Sequence, residues 1–359
     1  MTLLNFHELW KPVLVMILVN LALAFVNIFL KKVLNEGMDY LTILTYRQAI
    51  SAIFLAPIAF FYERKSKLEG QIICLLFISA LVGVTLTQFL YLKGLEYTSA
   101  TFACAFLNTV PVFAFILALP LGIEKVSMKS KSSKAKVLGT FVCIGGALVL
   151  ILYKGMPLMN PKSQNIVDKG TMKPSGSELK QWIVGSILLT AGCLLWSSWF
   201  LIQARISKKY PYQYSSTAIL SFFAAIQSAI LTLIIDRNSA TWILKGKLEI
   251  MTVIYAGLVG SGLCYVAMSW CVKERGPVFT AAFTPLLQMF VAVLDFTMLQ
   301  EEIYLGSVAG SVLVIAGTYI LLWGKSKEGE QQCALKDTQE NQEDEESKLG
   351  ENKNSLNFK

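Results

Sequence analysis

Histidine is nearly missing from this chain: one residue in 359, His7, standing ahead of the first apolar stretch. Ser-His-Asp chemistry and membrane enzymes built on histidine clusters are thereby excluded, since both need imidazole beside other reactive groups. Charge is scarce as well, at 16% of residues, where soluble globular chains carry about 25%. The seven cysteines include no Cys-x-x-Cys pair. Cys74, Cys104, Cys143, Cys193, Cys264 and Cys271 fall in apolar stretches, where cysteine acts as a small hydrophobe, and Cys333 lies in the polar tail. Neither a disulfide framework nor a metal site is expected. No Asn-x-Ser/Thr acceptor occurs. GTYILLWGKS, Gly317–Ser326, ends like a phosphate loop, but the glycine that loop needs five residues before Gly-Lys is replaced by Tyr319. The chain therefore reads as no enzyme, with no cofactor.

Apolar sequence takes the place of these groups. The mean hydropathy is +0.55, and ten blocks are nearly free of charge: roughly 13–30, 41–62, 72–92, 99–121, 137–153, 181–201, 213–235, 250–271, 277–299 and 304–323. Each is long enough for a helix to cross a hydrocarbon core of about 30 Å. The expected fold is all-α, a polytopic membrane protein of ten transmembrane helices with the lipid bilayer as its surroundings. The first block is read as an uncleaved helix, because it is long, lacks a small-x-small cleavage site and runs directly into Lys31-Lys32.

The formal charge of +8 is unevenly placed: residues 325–359 hold six Lys against nine Asp/Glu, leaving the rest at +11. That positive charge is spread over short loops, a pattern that reports topology. No nucleic-acid partner is expected. Loops on the side of the N-terminus carry 16 Lys/Arg and the opposite loops 11, so both termini are expected in the cytoplasm. The acidic tail has too few apolar residues to pack and is expected to be disordered.

The longest interior linker holds Pro157, Pro161 and Pro174 with Gly155, Gly170 and Gly176, and divides the blocks five and five. The organisation follows: a first five-helix repeat over 1–154, an extramembrane linker over 155–180, a second repeat over 181–324 and the tail over 325–359. A shift of 177 residues lays Tyr91–Lys125 on Met268–Glu302 without a gap, matching Phe102 to Phe279, Ala105 to Ala282 and Glu124 to Glu301. An odd number of helices per repeat turns the second copy upside down, the inverted plan of many transporters.

Polar residues inside the blocks are the candidate site. Under the 177-residue shift Asn108 faces Pro285 and Pro111 faces Gln288, so each half carries a proline and an amide at matched positions. Proline leaves a helical carbonyl without its partner. Breaks in matched helices mark midplane substrate sites, although membrane helices also tolerate proline, and amides bond between helices. We expect Asn108, Pro111, Pro285 and Gln288 to bind a small-molecule substrate. Arg47, about six residues inside the second block, suits snorkelling to the interface or binding a substrate carboxylate. Asn20 and Asn27 share a helical face and suit interhelical bonding or cavity lining equally; Gln88 is similar. Trp196 and Trp199 read as interface anchors, with stacking on substrate the alternative. Asp295 is the one acid well inside a block, a candidate proton carrier or a hydrated interfacial group. Gly310 and Gly317 suit close helix packing.

TYRQAISAIFLAPIAFFYERK (45–65), GLEYTSATFACAFLNTVPVFAF (94–115) and WCVKERGPVFTAAFTPL (270–286) resemble segments of a plant transporter family. It is the nodulin-like, Walls-Are-Thin-related or UMAMIT family, with EamA-type repeats of the drug/metabolite transporter superfamily, and the likeness runs from the first block to the tenth. It implies two inverted five-helix repeats. It also implies transport of a small organic solute, amino acids foremost, with auxin or a related aromatic acid as the alternative. The plasma membrane is implied first and the vacuolar membrane second. Asp295 departs from the small or apolar residue expected there, leaving the ninth span's surroundings open. Sugar phosphates are less attractive, since Arg47 is the one interior cation in the blocks available to hold phosphate. A receptor or scaffold is the alternative of another class, and a homo-oligomer is left open.

Overall fold

The computed structural model describes residues 3–63, 68–97, 106–123, 131–152, 157–159, 176–235, 242–244, 246–294 and 303–304, with parts of 309–327. Asp295, most of the 155–180 linker and the tail beyond 327 lie outside the described residues.

The first three blocks form α1 (Leu3–Asn35), α2 (Tyr40–Tyr62) and a composite of α3 (Gly70–Ala80), a π-helical segment π1 (Leu81–Leu86) and α4 (Thr87–Tyr97). The fourth contributes α5 (Val110–Ala118) and the fifth α6 (Lys131–Leu152). Then come α7 (Gly176–Lys209), α8 (Gln213–Ile235) and a second composite of α9 (Lys247–Tyr255), π2 (Ala256–Leu263) and α10 (Cys264–Arg275). The ninth block is split into α11 (Pro277–Ala281) and α12 (Thr284–Leu294). Helical residues continue in the tenth block at 315–321. Apart from an antiparallel pair of β1 (Pro157–Met159) and β2 (Ile303–Tyr304), the described elements are helical.

Six helical stretches are long and apolar enough to cross a membrane: Trp10–Leu34, Tyr40–Tyr62, Gly70–Leu95, Ile183–Lys209, Gln213–Ile235 and Lys247–Arg275. They fall on blocks one, two, three, six, seven and eight. A bilayer leaves the backbone no water to bond, which is why these blocks are helices. Their outer faces show Ile53, Phe61, Phe222, Ile230 and Ile234, as lipid contact requires.

Charged residues fix the helix ends. Asp39 Oδ2 accepts from Thr42 N (2.9 Å) and Thr42 Oγ1 (3.1 Å) at the start of α2. Glu63 accepts from Tyr214 N (3.2 Å) and Ser215 N (2.7 Å), capping α8 from another helix. Gly276, at φ +88°, ends α10, and Pro277 starts α11 directly after it.

Contacts between loops sort into two sides. Glu63 meets the start of α8, and Ser132 Oγ donates to Gly324 O (2.5 Å), on what we call the terminal side. Tyr46 OH donates to Trp242 O (2.8 Å), and β1 pairs with β2, on the linker side. The alternating crossings expected of ten blocks would bring each of these segments to its partner's side.

The interior is close-packed. α2 and α8 run together, joined by the Ser51 and Ser221 hydroxyls at 3.0 Å. Where α6 meets the tenth block, a Cβ added to Gly139 would lie 2.6 Å from Leu321 N, and one added to Gly317 2.6 Å from Cys143 N. Gly317 therefore serves close backbone approach, as its sequence context suggests. Trp199 is 1% exposed and stacks on Trp196, ring centroids 5.0 Å apart at 11°. The anchor reading of these tryptophans is overturned: they pack in the interior against Tyr265 and Phe200.

Candidate functional site

The site is organised by the two π segments. π1 ends at Leu86 and π2 at Leu263, 177 residues apart, the same shift that relates the halves in sequence. A π turn is wider than an α turn and recurs at functional positions. Small residues let neighbours fill these turns. A Cβ added to Gly83 would lie 2.0 Å from Trp199 Cδ1, and one added to Gly260 3.2 Å from Val26 Cγ2. Each π segment thus lies against the first helix of the opposite half, α7 for π1 and α1 for π2. Thr87 Oγ1 donates to Val82 O across the widened turn (2.6 Å), and Thr85 Oγ1 to Gln227 Oε1 (3.0 Å).

The turns following them present Gln88 and Tyr265, again 177 apart. Gln88 Oε1 accepts from Tyr40 OH at 2.5 Å. Tyr265 lies within electrostatic reach of Arg47, whose Nε donates to Ser261 Oγ at 2.9 Å. Tyr40 is within electrostatic reach of the same guanidinium. Tyr265 in turn lies against Trp199 and Trp196, with centroid distances of 5.5 and 6.2 Å. Arg47 is 7% exposed, so the snorkelling reading fails: its side chain lies among buried hydroxyls. Among the described residues, the group bonded to Arg47 is neutral. A guanidinium is a permanent cation, and burying it without a countercharge is expensive in a membrane interior. Its flat fork of donors suits a carboxylate.

The prolines sit at true breaks. α5 starts after a turn at Asn108–Thr109 and α12 after a turn at Ala282–Phe283, with Pro111 and Pro285 each the second residue of the new helix. Measured from the break, Pro111 matches Pro285, Asn108 matches Ala282 and Ala114 matches Gln288. This register differs by three residues, one helical turn, from the 177-residue shift, which paired each proline with an amide. The first break is sewn to α7: Phe106 O accepts from Thr109 N (2.9 Å), Thr109 Oγ1 (2.6 Å) and Cys193 Sγ (3.2 Å). Val110 O accepts from Ser197 Oγ (3.0 Å). Asn108 is 2% exposed with Nδ2 unpartnered, while Gln288 is half-buried with Oε1 unpartnered.

The seven candidates thus divide. Arg47 and Gln88 share one cluster through Tyr40 and Tyr265. Asn108 and Pro111 lie at one break, Pro285 and Gln288 at the other, and no described hydrogen bond joins either pair to Arg47. Asn20 Nδ2 donates to Met16 O of its own helix (2.6 Å), as Asn27 does to Leu23 O (2.9 Å), so neither amide's described bond is interhelical. Sequence reasoning missed Tyr40, Ser261 and Tyr265. The 177-residue shift, carried back from Tyr265 to Gln88, was a signal that could have found the last of these. Among the described residues, no group of His, Cys, Asp and Glu is arranged to hold a metal. Cavities of about 410 and 230 Å³ lie elsewhere, one along Ile183, Ile187 and Leu194 of α7, the other along Val15, Leu18 and Leu263; both are apolar.

Comparison with known proteins agrees with this architecture. The model of the EamA-like transporter family matches twice, over residues 10–152 and 183–323. Three WAT1-related proteins of Arabidopsis thaliana are 50%, 49% and 47% identical, over 89%, 91% and 89% of this chain and 89%, 90% and 88% of their own. A crystal structure 14% identical shares the fold, with a TM-score of 0.58 over 86% of this chain and 98% of that one. Two family matches in tandem, each over one half, account for the paired π segments, and the chain belongs to the EamA-like transporter family, among its WAT1-related members.

Proposed function

We propose that this membrane transporter carries small organic solutes bearing a carboxylate, amino acids foremost, by alternating access between two inverted five-helix repeats. The observation that carries the reading is Arg47, a permanent cation buried among neutral groups beside π2. A substrate carboxylate supplies the missing countercharge. The ammonium of an amino acid would then take carbonyl or amide oxygens, for which the breaks at Pro111 and Pro285, with Asn108 and Gln288, are the candidates. Proline removes one donor at each break, and matched breaks suit a site reached from both sides in turn. A scaffold has no use for them.

A second reading, an auxin-like or other aromatic acid, draws support from one further observation: Tyr265 joins Arg47 to the stacked pair Trp196 and Trp199. An aromatic ring and a carboxylate on one solute would match both. We place the termini in the cytoplasm, from the Lys/Arg excess on the terminal side, and the protein in the plasma membrane.

The test is uptake by the purified protein in liposomes. Labelled amino acids, indole-type acids and the matching amines that lack the carboxylate are compared. Acids should enter and amines should not. Equal entry of both would sink the carboxylate reading, and the balance between the two kinds of acid decides which reading holds.

A further inference from the structure

A line of buried polar side chains leaves Arg47 toward the terminal side. Ser261, Tyr265 and Ser269 follow one another at intervals of four residues along π2 and α10, so they share a helical face. The first accepts from Arg47 Nε and the second lies within electrostatic reach of that guanidinium. The third accepts from Gln203 Nε2 at 2.8 Å, passing the line to α7. There it continues through Ser207 and Tyr210, again on one face. All six are buried, yet Gln203 Oε1, Ser207 Oγ and Tyr210 OH have no hydrogen-bond partner. Beyond them, both amide atoms of Gln213, the first residue of α8, are buried and unpartnered too. Unpaired polar groups at membrane depth are costly, and a packing surface would be apolar there.

The inverted repeat supplies its own control. The first two helices of each half are offset by 173 residues, as α2 (Tyr40–Tyr62) and α8 (Gln213–Ile235) show, and the third by 177. Moved back accordingly, Gln203 and Ser207 become Leu30 and Leu34, and Ser261 and Ser269 become Val84 and Leu92. Val26, Leu30 and Val33 belong to a buried apolar cluster with Ile43 and Val253. Apart from Gln88, the mate of Tyr265, the other half thus holds apolar groups where this half holds hydrogen-bonding ones.

We propose that the line from Ser261 to Tyr210 is the terminal-side half of the solute path. It wets when that side opens, offering neutral hydroxyl and amide contacts to a zwitterionic or anionic solute leaving Arg47. The Val26, Leu30 and Val33 cluster is the water-excluding seal of the opposite half. The proposal rests on the Arg47 reading for where the path begins.

The experiment uses cysteine substitution in the full-length protein in liposomes, with a charged methanethiosulfonate reagent on both sides and no solute. Modification is read peptide by peptide. Ser207→Cys is compared with Leu34→Cys, and Ser269→Cys with Leu92→Cys, two pairs matched by the repeat. Serine to cysteine is nearly isosteric, so folding should survive. Only a hydrated thiol ionises and reacts, so the serine positions should react at least about tenfold faster than their mates. An adduct on Ser207→Cys should also block uptake of whichever solute the liposome panel identifies. Equal rates within each pair, or faster reaction at Leu34→Cys, would overturn the proposal. Because the labelling is read without solute, its failure is distinct from a failure of Arg47 to bind acids.

Discussion

The third and eighth spans share a backbone and differ in what they hang on it. Both are interrupted by a π segment ending at equivalent residues, Leu86 and Leu263, and both press a glycine against the first helix of the other half. After π1 comes Gln88, which is bonded to Tyr40; after π2 comes Tyr265, within electrostatic reach of Arg47, beside Ser261, which accepts from Arg47 Nε. Duplication has preserved the geometry, while the chemistry has moved to one copy. On the proposed carboxylate reading, that separates the parts that move, which are needed twice, from the parts that bind, which are needed once.

The most damaging way to break this comparison is to remove the Tyr265 hydroxyl. A hydrogen bond to a charged group contributes about 1.5–3 kcal/mol, which bounds what this hydroxyl gives the guanidinium, so Tyr265→Phe should raise the half-saturation concentration for uptake by up to roughly 10- to 100-fold. Its mate Gln88→Leu loses a neutral bond of about 0.5–1.5 kcal/mol and should raise it only a few-fold. If the two substitutions cost the same, the division between a hydroxyl beside Arg47 and an amide bonded to Tyr40 is wrong.

Glycine sharpens the same contrast at the level of stability. The Cβ of Gly83→Ala would overlap the buried Trp199 ring, so the substitution should cost about 1–3 kcal/mol, seen as a lowered melting temperature in detergent. Gly260→Ala meets only a valine methyl at 3.2 Å and should leave the melting temperature almost unmoved. Equal shifts would show that the two π segments are not packed as described.

Asn108→Leu and Gln288→Leu come next. Each removes a neutral hydrogen-bonding group beside a break, and an effect on half-saturation of about 2- to 10-fold is expected. Unchanged affinity for every solute would reduce both to packing residues. Gln227→Leu, in α8, is a poor control for them, because Gln227 accepts from Thr85 in π1 and donates to Phe77 O (3.2 Å). Smallest of all, deletion after Lys327 should leave the intrinsic uptake rate nearly unchanged; a large loss with normal insertion would give the tail a part in transport.

Much of this was legible in the sequence, for reasons that also explain what was not. Charge-free blocks locate membrane helices because the bilayer penalises every other solution, and six of them appear at full length. Pro111 and Pro285 announce their breaks because proline's missing donor acts locally. The register of those breaks was misread by one turn, since it depends on where Cys193 and Ser197 bond the carbonyls of Phe106 and Val110. LVGVTL and AGLVGSGL look like ordinary apolar helix; their π form comes from tertiary packing against Trp199 and Val26. Arg47 was visible as an oddity, but its neutral partners come from residues more than 200 positions away in sequence, Ser261 among them. Periodicity in a single chain carries no such information.

The central claim is that Arg47 is the buried countercharge for a solute carboxylate. Arg47→Gln keeps much of the side chain's length and hydrogen-bonding capacity while removing its charge. Uptake of the preferred acid by liposomes containing this variant should fall at least about tenfold in kcat/KM, the loss expected for a charge-assisted bond, with insertion and melting temperature near those of the unsubstituted protein. Wild-type uptake of every acid by a correctly inserted Arg47→Gln protein would contradict the account.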